Sequence, residues 1–306
     1  MKIAITGANG LIGRQLSLKL FKEGNIITLL TRDSSSINGD QYPKDTIKEW
    51  DYRDLNHLKD LTDNNDAIIH LAGANLSSKR WNNKYKNLIY DSRITSTKNI
   101  VTAIDLCSVK PKVFIMLSAV GIYGNRGDEY LYEESKCGND FLANLCKDWE
   151  DEAAKIESLG IRRVSLRVGL VLTKEGGVLK KMIPPFKLFI GGTLGDGNQW
   201  FPWIHIQDVV DIIEFAIKNE TIKGAVNCAS PGIVRMKDFA KTLGKTLSRP
   251  AYFRIPRFAL KLISGQIADT ALSGQRISVE KLLRAGYQFR FKELEEALKE
   301  ILINSG

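Results

Sequence analysis

The chain has 306 residues, 43% hydrophobic and 26% charged, with a formal net charge of +9. That length can bury a full core in one large or two smaller domains, and no apolar run approaches membrane-spanning length. The basic residues are dispersed and not interleaved with stacking aromatics, so the charge points to an anionic small molecule rather than nucleic acid.

Residues 2–6 form a short apolar run that ends in Gly7-Ala8-Asn9-Gly10-Leu11-Ile12-Gly13. A helical spacing follows through Leu16, Leu18, Leu20 and Phe21. Strand, glycine turn and helix in that order is the context in which a glycine triplet binds a dinucleotide. One glycine lets the chain leave the strand in a conformation closed to residues with a Cβ. Another admits a pyrophosphate close to the backbone, and a third lets the helix lie tight on the sheet. The first helical N–H groups then face the anion. The cradle is therefore assigned to Gly7, Asn9, Gly10, Leu11, Ile12 and Gly13. Its spacing is G-x-x-G-x-x-G, not the simpler G-x-G-x-x-G.

A second strand over 26–30 brings Thr31 and Arg32 to its tip, where a dinucleotide fold holds the adenosine ribose. Arg32 suits the 2′-phosphate of NADP through charge-assisted contact. Were the strand to run on to Asp33, that carboxylate would take the ribose hydroxyls and select NAD. The reading here is NADP. Residues 46–50 form a third strand. Residues 66–73 form a fourth, which ends in Leu71-Ala72-Gly73, small enough for a cofactor to pass over. His70 within it reads as a packed core histidine. A long helix over 84–105 carries Arg93. The fifth strand, 113–118, runs through Ser118 into Tyr123-Gly124. A polar loop, 125–138, precedes a helix over 140–157. The sixth strand and its exit span 161–171, and Val171 is counted with the cofactor-binding positions.

Glycines and aromatics crowd residues 176–203, a composition that is usually functional at this length. A helix through Ile217 and a short strand over 225–229 follow, and the remainder is mostly helical. Strands alternating with helices predict an α/β, doubly wound parallel sheet with a smaller, interleaved, α-rich substrate-side region. Residues 1–175 and 206–230 would bind the cofactor. Residues 176–205 and 231–306 would face the substrate, with a C-terminal module at about 250–300. Cys107, Cys137, Cys146 and Cys228 show no C-x-x-C pairing, and three scattered histidines give no metal spacing. With a chain that opens on a strand rather than a leader, reduced thiols imply a cytoplasmic protein without a metal.

These motifs together resemble the extended short-chain dehydrogenase/reductase family. The likeness is carried by Thr6-Gly7-x-x-Gly10-x-Ile12-Gly13, His70-Leu71-Ala72-Gly73, Tyr123-Gly124 and Trp203-Ile204-His205-x-x-Asp208. More narrowly, Arg80-Trp81, Asp91-Ser92-Arg93, Trp149-Glu150, Gln199-Trp200 and Leu272-Ser273-Gly274-Gln275 are similar to an atypical epimerase-like subgroup with a C-terminal module of unknown function. The resemblance implies an NADP-dependent oxidoreductase or epimerase acting on a small anionic or sugar-like molecule. It implies no nucleic-acid or membrane partner, and a monomer or homodimer. It also implies that Arg93 faces the cofactor. The family's catalytic Tyr and Lys belong in the first turns of the helix after Asp140. That segment reads Phe141-Leu142-Ala143-Asn144-Leu145-Cys146, with neither. Ser118 and Tyr123 are then the nearest candidate catalytic hydroxyls, although Tyr123 could simply pack. Tyr132-Glu133-Glu134-Ser135-Lys136 matches Y-x-x-x-K literally, but its polar setting before Gly138 reads as a loop. His205 is expected to shape the pocket wall and cap the next helix. Cys146 is expected to be a buried, inert thiol. Without a conventional acid, the alternative is an NADP-binding sensor or scaffold that does not turn over.

Overall fold

The computed structural model describes residues 1–37, 39–43 and 45–304. Seven parallel strands form the central sheet: β1 (Lys2–Thr6), β2 (Ile26–Thr31), β3 (Ile47–Glu49), β4 (Ala67–His70), β5 (Val113–Ala119), β6 (Arg162–Val168) and β7 (Gly224–Cys228). Their spatial order is β7-β6-β5-β4-β1-β2-β3. The order reverses between β1 and β4, and a crevice opens there at the carboxyl ends of the strands. This is the doubly wound Rossmann arrangement.

Strand alternation sorts the core into two layers. Ile3, Ile5, Leu29, Ile69 and Ile115 point to one face, where they pack with Leu16 and Leu20 of α1 (Leu11–Lys22) and with Val209 and Ile213 of α6 (Ile206–Lys218). Ala4, Leu30, Ile68, Phe114 and Met116 point to the other. That face is covered by α2 (Leu55–Thr62), α3 (Asn83–Asp105) and α4 (Phe141–Ala154). Buried side chains of this size each stabilise by about 1.5–3 kcal/mol, so both layers are needed to hold the strand tips in place.

Between β6 and β7 the chain makes a long excursion away from the sheet. Residues 170–205 contain α5 (Gly177–Lys187), which packs with α7 (Met236–Leu247) and the C-terminal helix Leu294–Lys299 in a third core around Phe186, Trp203 and Phe239. Helix α5 forms with Pro184 and Pro185 both inside it. Burial of Leu179, Met182 and Phe186 on one face outweighs the missing N–H donors. Strand β6 stops at Gly169 because a side chain there would lie 2.1 Å from the Pro202 carbonyl. The chain crosses under Pro202 at that point and resumes as Leu170–Leu172, paired with Trp203–His205.

The C-terminal module is tied into the main domain by polar contacts. Buried Asp208 accepts hydrogen bonds from the Tyr287 hydroxyl and from the backbone N–H groups of Arg290 and Phe291. Gln275 donates to the Gly124 carbonyl at 2.9 Å. Strand Arg276–Ile277 pairs with Tyr130–Leu131.

Candidate cofactor and active site

The crevice is built by two glycines pressed against backbone and one with a single close neighbour. Gly7 has a φ of +68°, and a Cβ there would meet the Leu71 and Ala72 backbone at 2.8 Å. A Cβ on Gly13 would fall 2.3 Å from the Gly7 carbonyl oxygen. These two positions fix how tightly the turn closes on itself and on β4. Gly10 is different: a Cβ would touch only the Gly7 carbonyl, at 3.1 Å. Gly10 is also the cap residue of α1, in extended conformation and with no side-chain cap. The first N–H groups of α1 are thus left to a ligand, with the positive end of the helix dipole behind them. A pyrophosphate fits this cradle.

Thr6 locks β4 to β1 beneath it. Its hydroxyl accepts the N–H groups of Leu71 and Ala72, both at 3.2 Å. With both acceptor sites filled, its proton goes to His70 Nδ1 at 2.7 Å. His70 therefore carries its proton on Nε2, toward Ser96 Oγ at 3.3 Å. It is fully buried, and desolvation brings its pKa down to about 3. His70 is a neutral core residue that holds the strand end still.

At the adenosine end, β2 stops at Thr31. The buried Thr31 hydroxyl donates to the Asp33 carbonyl at 3.0 Å and folds the chain back. The Asp33 carboxylate is engaged within its own loop. Its Oδ1 accepts from the backbone N–H and hydroxyl of Ser35, at 3.0 and 2.6 Å, and so caps the turn Ser34–Ser36. Asn9 of the glycine turn donates to Ser36 Oγ at 3.0 Å, which ties this loop to the cradle. Arg32 is exposed and makes no ion pair among the described residues. Leu11 packs against Gly176, where a side chain would meet it at 3.2 Å, and Gly177 lies under the Val171 carbonyl. These contacts bring Val171 and the start of α5 to the rim of the cradle.

Arg93 reaches the crevice from α3. A Cβ on Gly73 would lie 3.0 Å from its guanidinium carbon, so the lack of a side chain there lets the group lie over the backbone. Nη1 donates to the carbonyls of Ala74 and Ile89, at 3.0 and 3.3 Å. The plane sits over Trp149, 5.1 Å from the ring centroid. Desolvation lowers its pKa, and no carboxylate pairs with it among the described residues. Nε and Nη2 are left as donors beside Gly73.

The opposite wall, from β5 and α4, is arranged otherwise. Tyr123, a candidate acid/base in the sequence, is fully buried. Its hydroxyl donates to Asn227 Oδ1 at 2.6 Å and accepts from Arg167 Nη1 at 2.8 Å. Burial pushes its pKa up to about 12. Arg167 is clamped in turn by Glu150, which outweighs the burial that would lower its pKa and raises it. Asn227 also donates to the carbonyls of Leu131 and Ser278. Tyr123 therefore stands at the centre of a buried hydrogen-bond network. No single motif signalled it, since its members lie 17 to 104 residues apart. Ser118 is also buried. Its hydroxyl reaches no oxygen or nitrogen partner and lies against the Cys146 thiol. Burial pushes that thiol up to about 12, so it stays protonated at neutral pH. Tyr132 and Lys136 sit in a solvent-exposed turn, not on a helix. Helix α4 begins at Phe141, capped by Asp140. His205 caps α6 through Nδ1 and bonds Glu300 through Nε2, so both ring nitrogens are engaged. Among the described residues no cluster of His, Cys, Asp or Glu could hold a metal, and no helix is long and apolar enough to cross a membrane.

The fold and this crevice define a dinucleotide-binding protein of the extended short-chain dehydrogenase/reductase type. Residues 3–229 match the NAD dependent epimerase/dehydratase family, to which the chain belongs. Residues 255–301 match a domain of unknown function, DUF1731. The chain is 36% identical to the epimerase family protein SDR39U1 homolog, chloroplastic, of Arabidopsis thaliana, over 99% of this chain and 87% of that protein. It is 34% identical to epimerase family protein YfhF of Bacillus subtilis, over 99% and 98%. The crystal structure of human epimerase family protein SDR39U1 (isoform 2) with NADPH superposes with a TM-score of 0.88 at 30% identity, covering 99% of this chain and all of that one. A nucleoside-diphosphate sugar epimerase from Corynebacterium glutamicum superposes with a TM-score of 0.78 at 34% identity, covering 99% of this chain and 58% of that one.

Proposed function

We propose that the chain binds NADP(H) in the β1–β4 crevice and acts as an oxidoreductase or epimerase on a small anionic or sugar-like substrate, with a non-standard acid/base. The single observation that carries the cofactor is the pairing of an uncapped α1 N-terminus with an Asp33 carboxylate that is turned into its own loop. The solved human relative with NADPH supports the same choice. When bound, the nicotinamide supplies hydride transfer. Gly7, Asn9, Gly10, Leu11, Ile12 and Gly13 would hold the pyrophosphate. Thr31 and Arg32 would hold the phosphorylated ribose, and Leu71, Ala72, Gly73 and Val171 would line the path between. Arg93 would direct Nε and Nη2 at the cofactor or at the anionic group beside it. Residues 1–175 and 206–230 would form the cofactor-binding part, and 176–205 with 231–306 the substrate side.

A second reading has its own support. Tyr123 is committed to Asn227 and Arg167, Ser118 is buried, and α4 carries Leu142 and Cys146 in its first turns. A protein so built could bind NADP(H) as a sensor or scaffold without turnover. Calorimetry with NADPH and NADH tests the cofactor. Following NADPH absorbance against a panel of anionic and sugar-like metabolites tests turnover. Tight NADPH binding with no oxidation across the panel would favour the second reading. Equal affinity for NADH would sink the NADP assignment.

A further inference from the structure

A second concave site lies on the far flank of α5, away from the cofactor cradle. It is a groove of about 580 Å³ between α5, the end of α7 and the C-terminal turn. That size falls in the small-molecule range of about 300–1,000 Å³. Its floor is aliphatic: Ile183, Pro184, Leu188, Leu247, Ile301 and Leu302. The remaining lining residues are Lys174, Lys180 and Lys187. None of the lining residues is acidic or aromatic.

This composition narrows the ligand. A sugar or nucleotide would bury hydroxyls that the aliphatic floor cannot hydrogen-bond, at a cost of about 1–3 kcal/mol each. A planar ring would find no aromatic partner to stack on. An alkyl chain needs only apolar contact, and the floor supplies that. A single anionic end group would meet the ammonium groups of Lys187 and of Lys180, which donates to the Glu175 carbonyl at 3.3 Å; neither forms an ion pair among the described residues. Leu188 is 69% exposed, so the apolar floor continues to the surface without a protein cover. The backbone of the walls is irregular as well. Pro184 and Pro185 interrupt the hydrogen-bond ladder of α5, the C-terminal turn Glu300–Asn304 is a π-helix, and Phe189 has a φ of +62°.

We propose that this groove binds a medium- or long-chain carboxylate, with the alkyl chain on Ile183, Leu188, Leu247 and Ile301 and the carboxylate between Lys180 and Lys187. The site is separate from the cofactor crevice, so its test does not depend on turnover. The probe is cis-parinaric acid, a fluorescent fatty acid, titrated into the full chain with and without NADPH. Binding should be saturable and displaced by decanoate but not by decanol. Lys187→Glu and Leu188→Glu should each weaken it about tenfold or more, the effect of one lost charge-assisted or apolar anchor. Both side chains are exposed, so the variants should fold and bind NADPH as the parent does. The proposal is overturned by unsaturable uptake, by decanol competing as well as decanoate, or by both variants binding like the parent.

Discussion

The two walls of the crevice use their polar groups in opposite ways. On the β1–β4 side, donors are left without partners among the described residues: the first N–H groups of α1, exposed Arg32, and Nε and Nη2 of Arg93. On the β5–α4 side, the polar groups around Tyr123 bond one another, and only the buried Ser118 hydroxyl among those named lacks an oxygen or nitrogen partner. Tyr123 bonds Asn227 and Arg167, Arg167 bonds Glu150, and Trp149 Nε1 donates to Thr97 at 2.7 Å. A group that is already satisfied in a rigid, buried network gains little from a ligand and loses much by moving. The difference teaches that the two walls answer to different demands. One leaves donors open at the carboxyl ends of the strands, and the other ties strands and helices together through buried hydrogen bonds.

The largest test of this contrast is Gly10→Val. The Cβ at Gly10 meets only one carbonyl oxygen, so its branches would project into the anion path rather than into the core. The expected outcome is loss of detectable NADPH binding by calorimetry, with a thermal melt close to that of the parent. Gly13→Val, which strikes backbone at 2.3 Å, should instead lower stability itself. NADPH binding retained by the Gly10 variant would remove the cradle from the β1–β4 side.

Arg32→Ala comes next. Its loss should weaken NADP(H) by about 1.5–3 kcal/mol, the range for a hydrogen bond to a charged group, and leave NAD(H) nearly unchanged. Matched titrations with both cofactors read this directly. Equal losses for both would mean that Arg32 serves the shared pyrophosphate or nothing at all.

Tyr123→Phe probes the other wall. Removing the hydroxyl leaves Asn227 Oδ1 and one Arg167 N–H without a buried partner, at about 1–3 kcal/mol of stability. Urea denaturation should show that loss while NADPH affinity stays within twofold or so of the parent, about 0.4 kcal/mol. A variant of unchanged stability that loses a turnover activity would give Tyr123 a catalytic role instead.

Why one wall was legible in the sequence and the other was not follows from the range of the interactions. The cradle is local: seven residues carry the turn, and strand and helix flank it directly. Thr31-Arg32 was read from the end of one strand, and the capping of α6 by His205 from one motif. Asp33 remained open because its role depends on where β2 stops, and Thr31 decides that by bonding the Asp33 carbonyl. The Tyr123 network could not be read, because Arg167 lies 44 residues away and Asn227 lies 104 residues away. Helix α5 was not singled out within the glycine- and aromatic-rich stretch 176–203. Its two prolines are local breakers, and what overrides them is tertiary burial of Leu179, Met182 and Phe186.

The smallest expected effect belongs to the segment that imitates the missing pair. Tyr132 and Lys136 stand four apart, as a catalytic Tyr and Lys would, but only on a helix do residues four apart share a face. Here the Ser135 N–H donates to the Tyr132 carbonyl, and the Tyr132 N–H is held by Ser135 Oγ, so the segment is a tight turn. Its position is set by neighbours rather than by a ligand. The Lys136 carbonyl accepts from Arg126, the Asn227 N–H donates to Glu133, and Arg167 donates to the Glu133 carbonyl. Both Tyr132 and Lys136 are exposed, and Tyr132 is 40% open to solvent. Tyr132→Phe and Lys136→Ala should therefore each change stability by less than about 0.5 kcal/mol and leave NADPH affinity alone. In any turnover assay that the metabolite panel yields, both should keep the parent's rate, whereas loss of a positioned acid or of its lysine costs about a hundredfold or more. A rate that collapses in both variants, with binding and stability intact, would move proton transfer to this turn and require it to refold onto the nicotinamide when the cofactor binds.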